Sequence, residues 1–107
     1  MDYGFKIGVT LPLAQWSYTE RIRNALEQRL LSYGCEMLFF CADNEEQKQA
    51  EQIEAMAAEG CGAIIVWPVS SGVVSALNTA KDSGILVALL GEKTEDMSCV
   101  DFYAGVD

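Results

Sequence analysis

Gly60-Cys61-Gly62-Ala63-Ile64-Ile65-Val66-Trp67-Pro68-Val69-Ser70-Ser71 holds a glycine, an apolar run, a proline and a pair of serines in close succession. Residues 63–67 are apolar at consecutive positions, not alternating ones. A strand of that kind has both faces covered, as in a parallel sheet sandwiched by helices. Gly60 suits the left-handed residue that closes a preceding helix without a Cβ penalty. Ser70 and Ser71 suit the N-cap of a following one.

The same unit recurs on either side. Residues 7–11, 35–42, 86–90 and 100–106 are further apolar runs and read as strands. Between the first two, Ile22, Ala25, Leu26, Leu30 and Tyr33 recur at helical spacing, with Glu20, Arg21, Arg23, Glu27 and Gln28 largely on the other side. Between the second and third, Ala50, Ile53, Met56 and Ala57 do the same. Asp43 or Asn44 is placed to cap that helix, with Glu46 or Gln47 three residues on, and residues 45–49 read as a solvated first turn whose acids favour the helix dipole. Val73, Val74, Leu77 and Ala80 mark a third helix. Gly34, Gly60 and Gly84 follow the three helices in turn. Parallel strands joined by right-handed crossovers predict an α/β fold of three layers, α/β/α, with a flavodoxin-like doubly wound parallel sheet in the order 2-1-3-4-5. Residues 91–99 are polar and acidic and read as a loop. At 107 residues the chain fits a single domain, 1–107. Its ending just after the last strand predicts a piece of a longer protein.

Seven Lys and Arg against 16 Asp and Glu give a net charge of -9. That field repels phosphate backbones and anionic membranes, so no nucleic-acid partner is expected. Cys35, Cys41, Cys61 and Cys99 form no CxxC pair and the chain has no histidine, so no metal site is expected. Cys35 and Cys41, six apart, would share a strand face as small core residues. The phosphate-cradling loops G-x-G-x-x-G and G-x-x-x-x-G-K-[ST] are absent, as is G-x-S-x-G. With no histidine as general base, neither an enzyme nor a cofactor is expected. A signalling receiver domain would close its third strand with aspartate, where Trp67 stands here. No apolar run is long enough to cross a membrane, and no basic start leads into an apolar h-region. The segment is thus expected to be cytoplasmic or separated from its export signal.

Open parallel sheets bind ligands beyond the carboxyl ends of their strands, where strand order reverses. After the first strand come Gln15, Trp16, Ser17 and Tyr18; Trp67 and Pro68 close the third. Rings offer flat apolar platforms, and amides and hydroxyls both donate and accept hydrogen bonds, which suits a carbohydrate. Trp16 serves equally well as a hydrophobic staple and Tyr18 as a packing residue; for Trp67 the carboxyl end of a strand favours the cleft over the core.

Ile7-Gly8-Val9-Thr10-Leu11, Ala42-Asp43-Asn44, Gln52-Ile53-Glu54, residues 60–69, Ala80-Lys81-Asp82-Ser83-Gly84-Ile85-Leu86-Val87 and Asp101-Phe102-Tyr103-Ala104-Gly105-Val106-Asp107 together resemble the amino-terminal lobe of type I periplasmic sugar-binding proteins, the ending being most similar to xylose-type and ribose-type receptors. The resemblance implies a two-lobed, extracytoplasmic receptor that closes on a monosaccharide and delivers it to the permease of an ABC importer. It implies sugar contacts at Gln15, Ser17, Tyr18 and Trp67, and at Gly91 and Glu92, where such receptors usually carry Asp-Arg. An isolated lobe would bind weakly and self-associate through its uncovered sheet. The alternative with the same fold is the ligand-sensing domain of a lactose-repressor-type regulator, which needs a helix-turn-helix upstream.

Overall fold

The computed structural model describes residues 6–12, 17–91 and 100–105. Its elements in chain order are β1 (Lys6–Leu11), α1 (Ser17–Ser32), β2 (Glu36–Cys41), α2 (Glu46–Ala58), β3 (Ala63–Val66), a 3-10 turn (Ser71–Val73), α3 (Val74–Asp82), β4 (Leu86–Gly91) and β5 (Phe102–Gly105). The five strands form one parallel sheet in the order β2-β1-β3-β4-β5. This is the doubly wound arrangement expected from the apolar runs and glycines. Gly34, Gly60 and Gly84 all take the left-handed conformation after their helices. Val106 and residues 92–99, read above as strand end and loop, lie outside the described residues.

Register shows how the sheet divides its side chains. Gly8 pairs with Ile64 and Ile64 with Val87, while Thr10 pairs with Val66 and Val66 with Leu89. Parallel partners project to the same face, and that face meets α2 and α3. Ile53, Met56, Ile64, Val66, Val73, Leu77, Val87 and Leu89 are all buried there, with Leu38 and Phe40 packed against them. Each side chain of that size contributes about 1.5–3 kcal/mol by leaving water. The opposite face is covered mainly by α1, which packs on β2, with the Arg23 guanidinium 5.0 Å from the Phe39 ring centroid. Towards β4 and β5 no helix among the described residues covers this face, and Leu86 is 46% and Phe102 62% exposed.

Three local expectations need correction. Asp43 and Asn44 do not cap α2: both have positive φ, 53° and 58°, and the N-cap is Glu45, which makes no side-chain cap bond. The Asn44 N–H donates to the Pro12 carbonyl at 2.7 Å, and the Asp43 carboxylate pairs with Lys48. The first bond ties the turn to the loop after β1, and the second pairs the Asp43 carboxylate with the Lys48 ammonium of α2. Cys35 and Cys41 are half-buried, not core, because β2 is an edge strand, and of the three described cysteines Cys61 is the buried one. Tyr33 lies beyond α1 and is 64% exposed, so it is no part of the helix's apolar stripe.

Candidate functional site

The sheet reverses its order at β1: the chain leaves β1 for β2 on one side and returns to β3 on the other. The carboxyl ends of β1, β3 and β4 therefore frame the crevice where an open α/β sheet binds its ligand. Trp67 leaves β3 at this point. Its N–H donates to the Thr10 carbonyl at 3.1 Å, and its own carbonyl accepts from Gln49 Nε2 at 2.9 Å. Beyond the buried Pro68, the Val69 N–H donates to Gln49 Oε1 at 2.8 Å. Gln49 is fully buried, so the expectation of a solvated turn through residue 49 fails at its last member.

A second amide extends the network. Thr10 Oγ1 donates to Gln52 Oε1 at 2.7 Å and accepts from Gln49 Nε2 at 3.4 Å, and Gln52 Nε2 donates to the Cys41 carbonyl at 2.8 Å. The ends of β1, β2 and β3 are thereby joined through two side chains of α2. No buried side-chain nitrogen or oxygen among the described residues lacks a partner. Ser70 is an N-cap as expected: its hydroxyl accepts from the Gly72 N–H and donates to Glu46 Oε1, which sits against Gly72 at the start of the 3-10 turn.

The Trp67 indole lies against Gly91. A Cβ at residue 91 would come closer than 3.0 Å to Cδ2, Cε2 and Cζ2 of the ring, and Gly91 has φ of 79°. Glycine is required there twice over, by the approach of the ring and by the left-handed backbone. The Tyr103 hydroxyl donates to the Gly91 carbonyl at 3.0 Å and ties β5 to the same spot.

Of the residues expected from sequence to bind ligand, Trp67 and Gly91 are brought into contact. Ser17 and Tyr18 open α1, with their side chains beyond description. Gln15, Trp16 and Glu92 lie outside the described residues. Thr10, Gln49 and Tyr103 were not anticipated. Gln49 shares the helical spacing of Ile53 and Met56, and that spacing was the available signal. A depression of about 390 Å³ between α1 and β2, bordered by Arg23, Leu31, Cys35 and Phe39, is away from this crevice, at the outer edge of the sheet.

The charged groups stabilise the frame from outside the crevice. Asp101 accepts from the Val87 N–H at 2.9 Å and from Lys81, and the Lys81 bond, with the backbone one, holds its carboxyl below the usual range. Burial pushes the Cys41 and Cys61 thiols up, so neither is poised as a nucleophile.

The model of the periplasmic binding protein domain family matches residues 7–107. No curated protein matches the sequence. Among solved structures, an ABC transporter solute-binding protein from Clostridium phytofermentans with bound β-D-glucose superposes with a TM-score of 0.88 at 26% identity, over 95% of this chain and 32% of that one. A solute-binding protein from Bacillus halodurans C-125 with bound myo-inositol gives 0.86 at 24%, over 99% and 38%. A periplasmic ribose ABC transporter protein from Conexibacter woesei gives 0.89 at 20%, over 97% and 35%. At their lower identity, the last two attest to the fold alone. The chain spans about a third of the length of the solved structures it matches. It belongs to the periplasmic binding protein domain family, a family of solute-binding proteins and not of enzymes.

Proposed function

We propose that residues 1–107 are the amino-terminal lobe of a solute-binding protein that presents a monosaccharide to an ABC importer. The observation that carries this is the Trp67 indole, seated across Gly91 at the carboxyl ends of β3 and β4 beside the reversal of strand order. A sugar ring has apolar C–H faces and a rim of hydroxyls. The indole offers a plate for one face, and Gln15, Ser17, Tyr18 and Glu92 supply donors and acceptors for the rim, with Trp16 as a second plate. The glucose-bound neighbour supports the ligand class, and its ABC transporter setting supports a permease partner and an extracytoplasmic location over a repressor's sensing role. Delivery would follow closure of a second lobe over the sugar.

One wall of such a cleft binds weakly, with a dissociation constant of about 1 mM or above. The chain is therefore titrated with D-glucose, D-ribose and myo-inositol while amide and indole N–H resonances are followed by NMR. Shifts centred on Trp67 and Gly91, about tenfold smaller in Trp67→Ala at equal sugar, are the expected result. Micromolar binding by this chain would contradict the two-wall cleft, and shifts elsewhere only would remove the site from Trp67.

A further inference from the structure

We infer that Gln49 is a positioning residue for Trp67: from within α2 it sets the orientation in which the indole lies across Gly91. Calling that indole a ligand platform rests on the function proposed above; the positioning itself does not.

A buried amide is costly unless its donors and acceptor are satisfied. At residue 49, on the stripe shared with Ile53 and Met56, an apolar side chain would fill the space without that requirement. What an amide adds is direction. Its bonds to the Trp67 carbonyl and the Val69 N–H bracket Pro68, a residue with no N–H of its own to give. The sheet ladder has stopped at Val66, so Gln49 takes over where strand pairing ends. The Trp67 N–H is already held by the Thr10 carbonyl. With both its N–H and its carbonyl fixed, Trp67 has one direction for its Cα–Cβ bond, and the missing side chain at Gly91 admits the ring that follows. Gln52 supplies an internal contrast: its bonds run to Thr10 and the Cys41 carbonyl and none goes to Trp67.

The test is NMR on the ligand-free chain, reading NOEs from the Trp67 ring to Gly91 Hα and the upfield ring-current shift of that proton. Gln49→Glu has the shape of glutamine. Ionised, it can accept from the Val69 N–H but opposes the Trp67 carbonyl; protonated, it regains a donor. Because burial raises a carboxyl's pKa, the variant is protonated at about pH 4.5 and forms its carboxylate only towards about pH 9: the NOEs are expected in the native chain at both pH values, and in Gln49→Glu at about pH 4.5 but not at about pH 9. Gln52→Leu is expected to lower stability while keeping the NOEs. Retention of the NOEs in Gln49→Glu at about pH 9, or their equal loss in Gln52→Leu, would overturn the inference. Should Gln49→Glu fail to fold, Gln49→Met is read in its place, with loss of the NOEs in support and their retention against. Titration with D-glucose separates the two ideas. Trp67→Ala without effect on glucose shifts would sink the ligand role and leave the positioning result standing.

Discussion

Gly91 and Trp67 occupy space that neither can yield alone. Gly91→Ala adds a methyl that overlaps the indole on a backbone at φ of 79°, so a loss of about 1–3 kcal/mol is expected in urea denaturation, with the Trp67–Gly91 NOEs displaced. An unchanged midpoint would mean the ring moves aside at no cost. Asp101 gives a pH-dependent counterpart. Its folded pKa is depressed, chiefly by Lys81, so its stabilisation is present above the ordinary aspartate range and is lost as pH falls through the lowered value. Asp101→Asn should lower Tm at pH 7 and make progressively less difference on acidification below about pH 4; a Tm gap that widens towards acid would contradict this. Part of the candidate site was legible from residue types and spacing: Trp67 ends an apolar run, and Gly91 follows the apolar run that became β4. Gln49 was not, because a glutamine among Glu45, Glu46, Gln47 and Lys48 looks solvated until the packing of α2 on β1 shows which way it faces.

Among the elements, α2 and α3 share one compact interface with the sheet, whereas α1 rests mainly on the edge strand β2. Ile53→Ala, which empties a fully buried position of α2, should cost about 2–5 kcal/mol by chemical denaturation. Hydrogen exchange should find β1, β3 and β4 most protected and α1 and β5 least, since local opening follows buried contact. Equal protection in α1 and α2 would refute that ranking. Strands and helices were readable because consecutive apolar runs, 3.6-residue stripes and closing glycines agreed with one another. The start of α2 was not, since Asp43 and Asn44 have the right chemistry for a cap but are drawn to the loop after β1 by a tertiary bond that local sequence does not carry.

At the scale of the molecule, one face of the sheet is closed by two helices, and on the other, among the described residues, Leu86 and Phe102 are left open. We expect copies of this chain to meet through that open face, seen as concentration-dependent sedimentation that Phe102→Ser reduces; a monomer at all concentrations would count against it. Strand order was legible only through the crossover rule, which states where strands go and not which faces remain uncovered. The order β2-β1-β3-β4-β5 also bears on synthesis. β1, made first, lies inside the sheet with β2 and β3 added on either side, and β4 and β5 each add to a strand already present. As the chain emerges from the ribosome, amino end first, every new strand meets an unoccupied edge and none has to be inserted between two that are already paired.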